Sequence, residues 1–482
     1  MSSLARPGGP AVIARLARVL WALVLVSLPV TSFRYFPFLG ETTYVRPLAI
    51  YPLAILWLVL LLEWFRGRRT FPWSPGTVLL LGFVLLAVAA TTVGRLLDPI
   101  PLHGQSYGDR SFRALITLGV GLSFFLVAAW MSRQEEDAWF SFRWLLAGFG
   151  LTLVWSGLQA VTFYTDLLPK LTVTNWQLAF SMRELVRTNR VSGLAYEPAW
   201  LAAQIATLYA PVLLGLVLTG RHVTKWRWLE LLVLALALLA VMATFSRGGI
   251  FVAFVSAGLA FLLAGRHALR SWRDWFSSGL RGGFVALAAR LGILMALVAV
   301  LVGSFAFLSQ KNYFRRLWEA RAETIGQYVL AINAGARSAY AAGALAAYQQ
   351  HPWIGVGLGA SGFHIYQNLP DWSLTTVTEI ARQLSPENRL FPNPKNMYIR
   401  LLAETGIAGF FLFLLYQVTL LGDALRGLAP GNGYRFVAIA GLSSWLAIML
   451  WNLTQDSFAS PNLWIIPGIV VGLGAWTAPE RS

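Results

Sequence analysis

About twelve apolar stretches of roughly 17 to 25 residues, strung between short polar breaks, constrain this chain more than any other feature of its sequence. A segment that crosses about 30 Å of hydrocarbon has no water to satisfy its backbone, so it must be helical. The stretches lie near residues 17–34, 47–65, 77–95, 114–131, 144–165, 198–219, 228–245, 248–264, 290–308, 398–421, 436–453 and 461–477. Overall usage agrees, because 57% hydrophobic and 12% charged residues leave too little charge for an ordinary soluble globular chain. The expected fold class is an all-α polytopic membrane protein with about twelve transmembrane helices.

A net charge of +17 first suggests a nucleic-acid partner. The basic residues are not gathered into an extramembrane domain that follows a phosphate backbone, so no nucleic acid is expected. They mark topology instead. With an inside N-terminus, Arg66, Arg68 and Arg69, then Arg221, Lys225 and Arg227, then Arg266, Arg270, Arg273 and Arg281 all fall on the cytoplasmic side. Both termini are then inside. The first stretch follows Arg6, Arg15 and Arg18 with no small-residue cleavage site, which reads as a retained helix. With no cysteine in the chain, disulfides and thiolate metal sites are excluded. The chain divides into residues 1–308, with nine helices and an outer loop at 166–197; residues 309–397, a large helical outer loop; and residues 398–482, with three helices.

Long loops translocate regardless of charge, so their cations need another explanation. The first carries Lys170, Arg183, Arg187 and Arg190, and the second carries Lys311, Arg315, Arg316, Arg321, Arg337, Arg382, Arg389 and Lys395. Together with Arg247 in the tight "FSRGG" turn, they point to a cationic cavity on the outer face and an anionic ligand. Arg247 has little room to solvate alone, and its planar fork suits phosphate oxygens better than a lysine would, although snorkelling to headgroups also explains it.

Each remaining candidate carries a structural alternative. In "RTNRVSGLAYEPAWLA", Glu197 before Pro198 suits a helix start, while Arg190 and Glu197 also supply a cation and a proton acceptor at the membrane surface. "ARSAYAAGALAAYQQHP" is an Ala-rich helix stopped by Pro352, with Arg337 and Tyr340 along it as binding candidates. The run "HPWIGVGLGASGFH" either cradles phosphate on its amides or is a glycine turn; His351 reads as a helix cap and His364 as a candidate proton shuttle. Asn396, Arg400 and Glu404 recur every four residues, placing them near one helix face beside Lys395, where Arg400 and Glu404 can pair. Glu197, His364 and Glu404 are thus the catalytic candidates. Arg190, Arg247, Arg337, Tyr340, Lys395, Asn396 and Arg400 are the substrate-binding ones. No metal cluster and no cofactor motif is evident.

The run "HPWIGVGLGASGF" followed by "KNMYIRLLAETGIAGFFLFLL" resembles the signature region of the O-antigen ligase and O-antigen polymerase superfamily of bacterial envelope proteins. Asn396, Gly406 and Gly409 match that family's pattern of His-Asn, nine residues, Gly, two residues, Gly, whereas Lys395 stands where the histidine would be. The resemblance implies a C-type glycosyltransferase fold in the bacterial inner membrane with its active site on the periplasmic side. It also implies metal-independent, inverting transfer of glycans from undecaprenyl pyrophosphate, with membrane lipids as surroundings and a chain-length regulator as a further partner. The missing histidine and the "RVSGLAYEPAWLA" stretch favour polymerisation of repeat units over ligation to lipid A core. A polytopic transporter or flippase is the alternative from another class, but such proteins concentrate polar sites near the bilayer midplane, whereas the unusual charges here gather at one surface.

Overall fold

The computed structural model describes residues 9–35, 45–186, 189–226, 228–281, 283–385, 387–388, 390–429 and 432–477. Within them the chain is helical, with only isolated β-bridges such as Phe33 to Ser181. Arg6, Arg187, Arg227 and Arg389 lie outside the described residues.

The apolar helices come in two groups, α1 to α5 (Gly9–Ser27, Ile50–Phe65, Pro75–Gly94, Tyr107–Met131, Glu135–Tyr164) before the short loop helix α6 (Lys170–Leu178), and the rest after it. A single span follows, α7 (Pro198–Gln204) and α8 (Ala210–Thr219) joined by a π-helical turn at Ile205–Tyr209. Then come α9 (Leu229–Ala243), α10 (Arg247–Ala264), the amphipathic α11 (Arg266–Arg281) and α12 (Phe284–Ser309). Among the described residues, six helical segments, 75–97, 107–131, 135–164, 198–219, 247–264 and 397–427, are long and apolar enough to cross a membrane, and shorter apolar stretches lie at 50–65, 229–243, 284–296, 435–451 and 461–474.

Caps explain where these boundaries depart from the apolar stretches. The first helix begins earlier than expected and ends at Ser27, two residues before Pro29, which disfavours helix in the residue ahead of it. The fourth begins at Tyr107 rather than 114, because the Ser106 hydroxyl accepts from the Asp109 amide at 3.2 Å while Asp109 accepts from the Ser106 amide at 3.1 Å. The fifth begins at Glu135 rather than 144, with Asp137 accepting from the Arg133 and Gln134 amides. Pro211 has no N–H to offer the Thr207 carbonyl one turn before it, and the buried Ser444 hydroxyl donates to that carbonyl at 2.6 Å instead.

The large loop folds into short helices α13 (Asn312–Glu319) and α14 (Ile325–Ala331), the Ala-rich α15 (Gly335–Gln350), and α16 to α18 (Ser361–Gln367, Asp371–Thr376, Thr378–Leu384). His351 caps α15, as its sequence position suggests. The small side chains of α15 let it lie against α16 and against α19 (Met397–Gly427), and Ala339, Tyr340, Ala344 and Ala347 join Val356, Phe363 and Ala403 in a core separate from that of the bundle.

The helix α19 is broken at Gly406, which has φ +64° and ψ −170°. The glycine-rich run fills the break: the amides of Val356 and Gly357 donate to the carbonyls of Ala403 and Glu404 at 2.9 and 3.0 Å, and the Ile407 amide donates to Pro352 O at 2.8 Å. Leu358 N donates to the Thr91 hydroxyl and Ala360 N to Gly357 O. This corrects the phosphate-cradle reading of the run, since those amides are already spent on repairing a helix. A Cβ on Gly406 would strike the Trp353 backbone, so the glycine serves both the left-handed dihedral and the close approach. The chain ends with α20 (Arg435–Trp451), a polar break, and α21 (Ile465–Thr477).

Candidate functional site

Alternation of the helices brings the chain around Thr31, Tyr107, Val191, Ala243, Ile332, Val356 and Asn452 to one end of the bundle. Hydrogen bonds stitch them together: Tyr196 N to the Thr31 hydroxyl, Val191 N to Ala243 O, Arg247 to Ile332 O, Tyr107 to the Thr91 and Val356 carbonyls, and Met397 N to Asn452 O.

Among the cavities bounded by the described residues, two at this end adjoin one another. The larger, about 440 Å³, is lined by Thr31, Glu197, Trp200, Arg337, Lys395, Trp451, Gln455 and Asn462 among others. The smaller, about 270 Å³, is lined by Arg110, Arg113, Thr117, Ser361, Arg400 and Glu404. Val45, Asn393, Asp456 and Ser457 line both, so the two share a wall.

The smaller cavity is built on two helix starts. The Ser106 cap begins α4 early enough that Arg110, Arg113 and Thr117 fall on one face of it. The Arg110 guanidinium lies 4.0 Å from the Phe391 ring centroid and donates to Gln105 Oε1 at 3.3 Å, while its buried Nε has no protein partner. On α19, Arg400 Nε donates to Glu404 Oε2 at 2.8 Å, Arg400 Nη1 donates to the Asp456 carbonyl, and the Ser361 hydroxyl donates to Glu404 Oε1 at 2.7 Å. Both Glu404 oxygens are therefore engaged, and the carboxylate serves to hold Arg400.

In the larger cavity, Arg337 on α15 reaches across to donate to Thr454 O at 2.7 Å. Lys395 sits at φ +52° directly before the α19 cap; its amide donates to Asp456 Oδ2 at 2.9 Å and its ammonium pairs with Glu379 at 3.1 Å, 5.3 Å from the Tyr340 ring centroid. Tyr340 donates to Gln383 Oε1, and Gln383 in turn donates to Glu379 at 3.1 Å. Burial pushes the Tyr340 hydroxyl up, so it stays a donor. An ammonium held in an ion pair has no lone pair, so Lys395 cannot take a proton in this state. Burial pushes the Asp456 carboxyl above the ordinary carboxylate range, against the opposing pull of Arg400 and the Lys395 amide.

Of the residues singled out from the sequence, Glu197, Arg337 and Lys395 line the larger cavity, and Arg400 and Glu404 the smaller. Tyr340 supports Lys395 from beneath. Asn396 is spent as a cap, its Oδ1 accepting from the Tyr398 and Ile399 amides. Three others line neither cavity. Arg190 donates to the Thr244 and Phe245 carbonyls, and Arg247 to Ile332 O, each fastening a turn. His364 is buried beside His351; desolvation, helped by His351, lowers its pKa, and its Nε2 has no protein partner.

The sequence reading missed Arg110, Arg113 and Asp456. The two arginines fell before an expected span start at 114, and the Ser106–Asp109 cap was the signal that would have moved it. Asp456 is an isolated carboxylate in the break "NLTQDSFASPN", where nothing nearby in sequence gives it a role.

Residues 232–414 match the model of the O-antigen ligase family, a segment running from α9 through the large loop to the part of α19 beyond its break. That match supports a likeness between this part of the chain and the O-antigen ligase and polymerase superfamily. Among curated proteins, none matches the chain.

Proposed function

We propose that this protein is a member of the O-antigen ligase and polymerase superfamily that lengthens a glycan carried on undecaprenyl pyrophosphate, joining repeat units into an O-antigen-type polysaccharide at the outer face of the bacterial inner membrane. The observation that carries this reading is the shared wall: two cavities at one end of an apolar bundle, with cations on both sides and Asp456 between them. A transferase with two bulky substrates needs such an arrangement, since reacting atoms must meet at about 3 to 3.5 Å.

In the proposed step an acceptor sugar hydroxyl gives its proton to a carboxylate and its oxygen bonds to the donor's anomeric carbon. The carbon–oxygen bond to the diphosphate breaks from the opposite face, with inversion, and the lipid diphosphate leaves with the electron pair. Asp456, raised by burial, is the carboxylate on the common wall; Glu197 is the second candidate. The leaving group needs its charge stabilised, which fixed guanidinium groups in a site of low dielectric supply without a metal. The wider reading takes the apolar helices as about twelve spans, the large loop as periplasmic and the fold as C-type.

Polymerisation is favoured over ligation because Lys395, where the family pattern has histidine, is held as an ammonium by Glu379. Ligation to lipid A core is the second reading, favoured by the description of the matching family. Reconstituted protein given lipid-linked repeat units separates them. A ladder of lengthened glycans is expected; transfer only to lipid A core replaces polymerase with ligase, and movement of lipid without new bonds overturns both.

A further inference from the structure

Nothing in the transfer step draws on α11, yet its residues are sorted by face. At about 100° per residue, Leu269, Trp272, Phe276 and Leu280 fall within about 80° of the helix circumference, and Arg266, Arg270, Arg273 and Arg281 fall within the adjoining stretch of about 80°. The helix α12 takes the side facing away from the arginines. There Arg290 donates to Trp275 O and, at 3.0 Å, to the Ser278 hydroxyl, with its guanidinium 4.9 Å from the Trp275 ring centroid. Gly279 leaves room for the Arg290 stem, which a Cβ there would meet at 2.5 Å.

That packing leaves Leu269, Trp272 and Leu280 exposed by 43%, 53% and 60%, with the four arginines exposed beside them. Position says which apolar medium the strip meets. The helix α10, long and apolar enough to cross a membrane, ends at Ala264, and α11 begins two residues later. The strip therefore opens at a membrane boundary, on the side that the positive-inside rule makes cytoplasmic. Among the described residues, no hydrogen bond or ion pair engages the guanidinium groups of Arg266, Arg270 and Arg281. Asp274 lies 3.5 Å from Arg273, but both are mostly exposed and such a pair gains little against water.

We infer that α11 binds anionic phospholipids of the cytoplasmic leaflet, its arginine stripe taking the headgroup phosphates and its Leu269, Trp272 and Leu280 strip taking acyl chain. A ligand for this surface needs an anion and an apolar body side by side, which a phospholipid supplies in one molecule. Guanidinium groups bind phosphate oxygens in pairs of hydrogen bonds, and each cation near an anionic membrane surface favours contact by a factor of about five. A zwitterionic headgroup brings an ammonium that the stripe repels. A second copy of the chain meeting α11 face to face sets the same four arginines against themselves. The inference does not depend on what reaction the opposite end of the bundle performs.

The chain has no cysteine, so a bimane fluorophore on Leu269→Cys reports on α11 alone in the full-length protein. The protein is placed in phosphatidylcholine nanodiscs holding a small fraction of spin-labelled lipid. Spin-labelled phosphatidylglycerol is expected to quench the probe about fivefold more effectively per mole than spin-labelled phosphatidylcholine, the factor for one arginine near an anionic lipid. The same probe on Leu85→Cys, exposed on α3, is expected to show no preference. Replacing Arg266, Arg270 and Arg273 together by glutamine is expected to erase the preference at α11, and so is about 1 M salt, which screens exposed charge. Thermal melting of each variant confirms that it is folded. Equal quenching by the two lipids overturns the inference, and so does a preference that survives in the folded glutamine variant. Quenching by neither lipid means that protein covers the strip, which overturns it as well. None of these readings changes if no glycan is ever transferred, so the proposed function and the lipid site fail separately.

Discussion

Asp456 shows how a side chain acquires chemistry from its surroundings. Burial holds the acid form in place longer than for an exposed carboxyl, so the carboxylate, once formed, is a stronger base. If it takes the acceptor proton, the rate falls as pH drops through a value above the usual carboxylate range near 4. Asp456→Asn is expected to lower turnover by about 10² to 10⁴ and to erase that acid limb. The sign for stability is opposite. A raised folded-state pKa gives stability that is present at low pH and lost as pH rises through it, so the ionised Asp456 weakens the fold at neutral pH. Asp456→Asn is therefore expected to melt higher than the unaltered protein at pH 7, and an equal or lower melting temperature refutes the burial argument. None of this was legible in sequence, because the groups that press on Asp456, Arg400 and Lys395, are more than fifty positions away. The Arg400–Glu404 pair was legible, since a spacing of four on a helix brings two side chains together whatever the tertiary structure. For Arg190 and Arg247 the sequence does not separate two roles, since a guanidinium in a tight turn is as well satisfied by carbonyls as by phosphate, and here each donates to a backbone carbonyl.

At the scale of elements, two interrupted helices depend on repairs from distant parts of the chain. The α19 break exposes carbonyls that the 352–357 run covers, and this is why a glycine stands at 406. Any Cβ there meets the Trp353 backbone, and the dihedral itself is nearly glycine-only, at a cost of about 1 to 3 kcal/mol before the collision is counted. Gly406→Ala is expected to lower the melting temperature in detergent and to abolish activity through displacement of Glu404 and Arg400. A variant that melts like the unaltered protein contradicts the account of the break. In the span 198–219, Ser444→Ala leaves the Thr207 carbonyl without its partner inside the bundle, an expected loss of about 1 to 3 kcal/mol with little change in substrate KM. The glycines at 355, 357, 406 and 409 stood out in the sequence. Their purpose did not, because glycine signals a close approach without naming what approaches.

For the whole molecule, alternation of helices decides which loops share water, and here the hydropathy pattern was the most legible signal of all. It put the helices in order, and its errors at their ends trace to caps that hydropathy does not weigh. The two ends of the bundle also differ in kind. One end carries the two adjoining cavities. At the other, Arg133 and Trp130 both donate to Thr70 O, Arg69 lies 3.6 Å from Glu63, and Arg221 pairs with Glu135, ties between neighbouring helix ends beside a separate cavity of about 310 Å³ lined by Asp423, Arg426, Tyr434 and Gly474. If the apolar helices are spans, a residue in the large loop and one in the 220–228 segment face opposite compartments, and the positive-inside rule puts the second in the cytoplasm. The chain has no cysteine, so single cysteines report without background. Thr375 and Lys225 are both exposed and line neither cavity. In spheroplasts, Thr375→Cys is expected to react with a membrane-impermeant maleimide and Lys225→Cys only after permeabilisation; inverted vesicles should reverse the order. Labelling of both from one side means the two segments share a compartment, which removes a span between them. Labelling in the opposite sense puts the cavities in the cytoplasm, where a glycan already assembled on its carrier and moved across the membrane cannot meet them.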